Sequence, residues 1–349
     1  MRLQREKVRG WAEMFFMLLI SLSVALTTYN LIASTRVPVE TRVPVETSDS
    51  VPLGARTFHT VVTSDGGGYN LWQCRIMYYW YKKNRGADMG GFTRILHSGH
   101  PDSYVREIPT FISQPLPSGM DEGYVVLNRP WGILQWLQEA EIKEGYIFMA
   151  EPDHLILRPI PNLAMGDVGI AFPFSYVDPY HHEEIIERHF PMGKLPKTKI
   201  EQIGNSPVII SKEALVKITP SWVNISIAMK RDPEATKAFG WVLEMYAYAM
   251  ASALNGYTYK LRPDFMVQPP YDSNFREAYM IHYTYGCDYD LTGKVMLGKY
   301  GQWRFDKRSY HIGPPKNLPL PPKGTPEVMF KLINMVNEAT ANIWMWRSG

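Results

Sequence analysis

The chain has 349 residues, 45% of them hydrophobic and 13% aromatic, with a formal net charge of +3. That is enough apolar material for one large or two ordinary domains. A charge so near balance argues against a nucleic-acid partner, and Cys74 and Cys287 stand too far apart to form a zinc-ligand motif.

Residues 1–10 carry Arg2, Arg5, Lys7 and Arg9 against the single acid Glu6. An apolar run over 11–33 follows, long enough as a helix to cross a bilayer. The positive flank predicts a cytosolic tail, so the bulk of the chain lies across the membrane. Leu31-Ile32-Ala33 is a poor cleavage site, which favours a retained signal anchor over a signal peptide. Residues 34–56 read as a stem. They contain a tandem repeat, Thr35-Arg36-Val37-Pro38-Val39-Glu40 and then Thr41-Arg42-Val43-Pro44-Val45-Glu46, whose Val/Pro alternation favours an extended tether. Residues 57–349 are expected to form the globular part.

Phe58 to Thr63 reads as a strand, and Ser64-Asp65-Gly66-Gly67-Gly68 as a turn. A helix with Trp72, Ile76, Tyr79 and Trp80 on its apolar positions comes next. Phe92 to Leu96 is a second strand, which completes a βαβ unit. Ligands of such sheets bind beyond the carboxyl ends of the strands. Thr63, Ser64 and Asp65 are therefore candidate nucleotide contacts. The glycine run matches neither a phosphate-loop nor a dinucleotide pattern, and a plain turn is the competing reading.

Asn128-Arg129-Pro130-Trp131 opens a helix, with Asn128 as its expected cap and Pro130 in the first turn. Arg129, beside free backbone donors, is either an anion receptor or a surface arginine. Tyr146 to Leu157 is two short apolar strands around the turn Glu151-Pro152-Asp153. In extended backbone, residues i and i+2 share a side, about 7 Å apart. Glu151 and Asp153 can then chelate a divalent cation that grips a diphosphate; the plain alternative is a solvated acidic turn.

Gly169 to Phe174 and Ile203 to Ile210 are further strands. Asn224-Ile225-Ser226 is an N-glycosylation acceptor. One long helix is expected from about Ala235 to Leu254. It carries Glu244 in an apolar setting, where a carboxylate is either a working acid or base or the partner of another buried group. His282, in the late strand Met280 to Gly286, can complete the metal site begun by Glu151 and Asp153. Arg304, Lys307 and Arg308, among aromatic residues, suit a lid over a diphosphate. Cys74 and Cys287 either pair in an oxidising lumen or remain buried thiols.

These segments together resemble the plant and algal hydroxyproline O-arabinosyltransferases. The resemblance is carried by Trp72-Gln73-Cys74-Arg75, by Gly91 to Gly99, by Asn128-Arg129-Pro130-Trp131 and by Glu151-Pro152-Asp153-His154. It continues through Ile203-Gly204-Asn205-Ser206-Pro207, Phe239 to Tyr246, His282 to Asp290 and Trp303 to Arg308. It implies an α/β, GT-A-like nucleotide-sugar fold with a mixed central sheet, behind one N-terminal transmembrane helix. It also implies a type II Golgi membrane enzyme with a lumenal catalytic domain. The implied reaction moves L-arabinofuranose from its UDP-β form to the hydroxyl of peptidyl hydroxyproline in extensin-like cell-wall glycoproteins, with retention. By the same resemblance Glu151-Pro152-Asp153 is the Mn²⁺ position; the chemistry we expect around it has Asp153 hold the ion with Glu151 and His282, and Arg304, Lys307 or Arg129 add charge at the diphosphate. The uridine sits near Thr63, Ser64 and Asp65, and Glu244 steadies the sugar cation or orients the acceptor hydroxyl. Two readings compete: a peptidyl-serine O-galactosyltransferase, and a membrane-anchored carbohydrate-binding or scaffold protein without turnover.

Overall fold

A computed structural model describes residues 56–190 and 200–349. The expected tail, anchor and stem lie outside the described residues, save for Arg56. Among the described residues no helix is long and apolar enough to cross a membrane.

The chain opens with the expected βαβ unit: β1 (Phe58–Ser64), α1 (Gly68–Lys83) and β2 (Met89–Leu96), with β1 and β2 parallel. Then come β3 (Thr110–Ile112), α2 (Asn128–Glu139), β4 (Tyr146–Met149), β5 (His154–Ile156), β6 (Val168–Pro173) and α3 (Glu183–His189). The next stretch is β7 (Ile203–Ser211), α4 (Lys212–Arg231), α5 (Pro233–Phe239) and α6 (Leu243–Leu254). The chain finishes with β8 (Thr258–Leu261), β9 (Met266–Val267), β10 (Met280–His282), β11 (Cys287–Tyr289), β12 (Trp303–Phe305) and α7 (Glu327–Asn342).

A seven-stranded sheet runs in the order β3-β2-β1-β4-β7-β6-β8. Its strands are parallel except for β7, which is antiparallel to both neighbours. The mixed α/β sheet is as expected. From β1 the chain goes first to β2 on one side and later to β4 on the other. The crevice beyond the β1 and β4 carboxyl ends is thus a topological switch point. Because β7 runs the other way, its first residues join the same edge. A three-stranded sheet, β5-β10-β9, and a two-stranded ribbon, β11-β12, lie outside this sheet.

α1 is apolar on two faces because it separates two cores. Cys74, Met77 and Tyr81 pack in the cluster around the large sheet. Trp72, Ile76 and Trp80, at i, i+4 and i+8, pack in a second cluster with Tyr283, Phe305 and α7. Each tryptophan donates its indole N–H, Trp72 to the Tyr310 carbonyl (3.0 Å) and Trp80 to the Met335 carbonyl (3.2 Å). Cys74 and Cys287 belong to different clusters and are both free. Burial pushes each thiol up to about 12.

Two local expectations change. The single helix from Ala235 to Leu254 is two helices, broken by a tight turn over Gly240–Val242. Gly240 has φ +50°, a conformation that a Cβ disfavours and that ends α5. Asn128 does not cap α2. Its side chain is buried, accepts from the Leu116 N–H (2.7 Å) and donates to the Val125 carbonyl (3.2 Å), so it pins the preceding loop instead.

Candidate active site

The carboxyl edge of the sheet opens into a cleft of about 630 Å³, within the range of small-molecule and cofactor sites. β1 delivers Thr63, Ser64 and Asp65 to it, and each has a distinct task. Thr63 Oγ1 accepts from Arg129 Nε (3.3 Å). Ser64 is buried, and its Oγ accepts from the Gly66 N–H (3.3 Å). Asp65 accepts from the Gly67 N–H (2.9 Å) and stays exposed to the cleft. Gly66 has φ +81°, and a Cβ on Gly68 would lie 2.6 Å from the His311 carbonyl oxygen. Turn geometry and close approach therefore account for these two glycines.

At the end of β4 the chain turns rather than running on as a strand. His154 N–H donates to the Glu151 carbonyl (3.1 Å), with Pro152 inside the turn. The two carboxylates consequently go to different partners, which corrects the picture of a pair on one side of an extended chain. Glu151 Oε2 accepts from Arg129 Nη2 at 2.8 Å. Asp153, 4% exposed, accepts from the Lys307 ammonium and lies 3.2 Å from His282 Nε2.

Arg129, in the first turn of α2, is the hub of the first group. Besides Thr63 and Glu151 it reaches Glu244 Oε1 (3.3 Å) and Asn205 Oδ1 (3.4 Å) with Nη1. It is not a surface arginine awaiting an anion, because its amino groups are already held by protein carboxylates. Glu244 comes from the first turn of α6 and is 1% exposed. Burial pushes its carboxyl up to about 7, with Arg129 pulling the other way and Glu151 adding to the rise. Burial also raises Glu151, against the pull of Arg129.

The second group is built by strand register. β5 pairs antiparallel with β10, and His154 lies directly opposite His282. Their rings meet edge to face, centroids 4.7 Å apart. One donor atom from each of Asp153, His154 and His282 lies within 4.8 Å of the others. His154 Nε2 and His282 Nδ1 are buried with no hydrogen-bond partner. With Nε2–H directed to Asp153, His282 keeps an unprotonated Nδ1 free to ligate. His154 Nδ1 accepts weakly from the Glu151 N–H (3.3 Å), so ligation through Nε2 requires the other tautomer. Two orphaned imidazole nitrogens and a carboxylate make a donor set that fits a divalent metal ion. Burial opposes ionisation of Asp153, but Lys307 and then His282 outweigh it and hold the carboxyl well below its usual range. Burial likewise opposes the Lys307 charge, and Asp153 raises its pKa above the usual lysine value.

His154 was not among the residues singled out from sequence. It follows Asp153 directly, and alternation in an extended strand assigns it to the opposite side; the turn removes that alternation.

The basic run divides. Lys307 and Arg308 line the cleft, while Arg304 lines a neighbouring depression. Arg304 donates to Asp288 (3.2 Å) and Asp306 (2.7 Å). Trp303 and Phe305 turn inward on β12 and send Arg304 to the opposite face. Arg308 donates to the Thr284 carbonyl (2.9 Å) at the cleft rim.

The whole arrangement has close relatives. Residues 58–261 match the model of the hydroxyproline O-arabinosyltransferase family N-terminal domain, and residues 279–347 that of its C-terminal domain. The chain is 55% identical to hydroxyproline O-arabinosyltransferase 1 of Arabidopsis thaliana over 360 residues, 96% of this chain and 98% of that one. It is 59% identical to hydroxyproline O-arabinosyltransferase RDN2 of Medicago truncatula over 293 residues, 83% of this chain and 81% of that one. A peptidyl serine alpha-galactosyltransferase of Arabidopsis thaliana is 21% identical over 72% of this chain and 31% of that protein. Apart from Gln268, which lies between them, the cleft residues all fall in the two matched domains, and the chain belongs to the hydroxyproline O-arabinosyltransferase family.

Proposed function

We propose that this chain is a glycosyltransferase that moves L-arabinofuranose from its UDP-β form to the hydroxyl of peptidyl hydroxyproline. The observation that carries this reading is the 55% identity to hydroxyproline O-arabinosyltransferase 1 over 96% of the chain. The serine-directed alternative rests on 21% identity over a smaller span. An intact cleft with a buried acid and a metal-type donor set speaks for turnover rather than passive carbohydrate binding.

In this reading the fold is GT-A-like, with the donor lying across the β1 and β4 carboxyl ends. Asp65 and Thr63 meet the uridine. Asp153, His154 and His282 would hold Mn²⁺, which would supply charge to offset the negative charge developing on the departing UDP. Lys307, which lines the cleft, meets the diphosphate, with Arg308 at the rim. Glu244 orients the acceptor hydroxyl and opposes the positive charge that grows on the sugar carbon. With its carboxyl near neutrality it exists in both protonation states around pH 7. Arg129 acts on Glu151 and Glu244 together, fixing where their carboxylates point. Transfer proceeds with retention, onto extensin-like cell-wall glycoproteins.

The proposed setting is the Golgi membrane. Residues 1–10 form a cytosolic tail, 11–33 a signal anchor and 34–56 a stem, with the catalytic domain lumenal. The experiment is to incubate the protein with a hydroxyproline peptide, its proline counterpart, a serine peptide and a panel of UDP-sugars with Mn²⁺. Pentose added only to the hydroxyproline peptide is the expected result. Hexose added to the serine peptide would overturn the assignment.

A further inference from the structure

Beside the catalytic cleft lies a second depression, of about 270 Å³, which the reaction described above does not use. Its rim sets exposed aromatic and aliphatic side chains among the charged groups of Asp288, Lys299 and Arg304: Tyr300 is 83% exposed, Tyr271 65% and Leu297 56%. Aromatic side chains set among polar groups in this way are enriched at interaction sites. The depression adjoins the cleft. The Tyr271 ring meets the Tyr285 ring edge to face at 5.0 Å. Tyr285 lines the cleft, while the next residue, Gly286, lines the depression.

We propose that this depression, built on Tyr271 and Tyr300, binds residues flanking the target in the acceptor polypeptide, held as a left-handed polyproline II chain. The inference rests on the hydroxyproline reading and says how that acceptor is gripped. A polyproline II chain makes no internal hydrogen bonds, leaves its carbonyls outward and presents flat ring faces every few residues. Aromatic-lined grooves recognise it by packing against those faces while nearby donors meet the carbonyls. Tyr271 and Tyr300 supply both rings and hydroxyls. Arg304 is spoken for: its amino groups are given to Asp288 and Asp306, and its guanidinium lies over the Tyr300 ring at 4.4 Å. That stack braces Tyr300 and commits the guanidinium to protein partners, so the ring face and hydroxyls are what the depression offers a peptide. The site sits outside the cleft, so it is reached only by an acceptor that extends beyond the reacting residue.

The test compares the full chain with its Tyr300→Ala and Tyr271→Ala variants on two hydroxyproline acceptors. One has about four residues and the other about twelve, the longer spanning about 37 Å in this conformation. The wild type is expected to show a lower KM for the longer acceptor. Each variant should raise that KM about tenfold, the size of one aromatic contact. The KM for the short acceptor, the KM for the UDP-sugar and kcat should not change. Tyr300→Phe should retain most of the advantage. An unchanged long-acceptor KM, or equal losses on both acceptors, would overturn the proposal. Binding of the labelled longer peptide, followed by fluorescence anisotropy, gives a readout independent of transfer. If no arabinose reaches any peptide, the activity reading fails by itself. If the alanine variants bind the longer peptide as tightly as the wild type, the groove fails. Light scattering that shows Tyr300→Ala splitting a dimer would make the patch a contact between two copies, and would also overturn it.

Discussion

His154 and His282 face each other across the β5–β10 pair, their ring centroids 4.7 Å apart and their planes at 82°. The antiparallel register brings two histidines, 128 positions apart by their numbers (282 − 154), onto the buried carboxylate of Asp153. His282→Ala and His154→Ala should each weaken Mn²⁺ binding by about tenfold or more, since even supporting residues of metal sites reach that range. Glu151→Gln should do much less, because Glu151 is occupied with Arg129. Calorimetric titration of Mn²⁺ without any donor sugar separates the two sets. Equal losses from all three variants would return Glu151 to the ligand set.

Lys307 completes the same group from the other side, donating to Asp153. Removing it leaves a buried carboxylate without its ammonium. Lys307→Met should therefore lower stability in the absence of metal by about 3 kcal/mol, the lower end of the cost of breaking a buried pair. A bound divalent cation replaces the lost charge. The melting deficit of the variant should then shrink as Mn²⁺ is added, because a ligand of the folded state alone stabilises it by mass action. A deficit that stays constant up to saturating Mn²⁺ would show that the ammonium and the metal do not share Asp153.

How much of this was legible in the chain follows from the range of the interactions. The βαβ opening, the strand ends and the Glu151-Pro152-Asp153 turn depend on periods and turn residues a few positions apart, and they were readable. So was the delivery of Thr63, Ser64 and Asp65 to the carboxyl edge. The partners of the charges were not. Lys307 meets Asp153 across 154 positions, and Arg129 meets Glu244 across 115. Arg304 and Lys307 look equivalent in sequence, yet strand alternation on β12 sends Arg304 into the neighbouring depression while the following turn sends Lys307 into the cleft. His154 was hidden by the assumption of extended backbone through a turn, and the break between α5 and α6 by a single glycine at φ +50°.

Arg129 offers a test of that long-range pairing. It lies between Glu151 (2.8 Å) and Glu244 (3.3 Å). At about pH 8, where Glu244 is ionised in the wild type, Arg129→Met should cost about 3 kcal/mol, because Glu244 must then stay buried without its cation or take up a proton. Adding Glu244→Gln should recover part of that loss, since the uncompensated charge is then gone. Chemical denaturation of the two single variants and the double variant forms the cycle. Strict additivity would mean that the two side chains do not act on each other.

Glu244 gives the pH dependence. Its folded carboxyl stands at about 7 against an ordinary 4.5, chiefly because burial opposes the charge. A raised folded pKa means that this group's contribution to stability is whole below about 4.5. It fades as pH rises through about 7, where the buried acid must ionise. The span corresponds to at most about 3 kcal/mol. Glu244→Gln cannot ionise, so its stability relative to the wild type should rise between pH 5 and about pH 8. Arabinose transfer should carry the same ionisation: the wild-type rate should bend near pH 7, and the slow residual rate of Glu244→Gln should cross that region without the bend. Denaturation midpoints and initial rates on one buffer series check both. A Glu244→Gln enzyme that keeps the full rate and the same bend would remove Glu244 from the chemistry and leave it as the buried partner of Arg129.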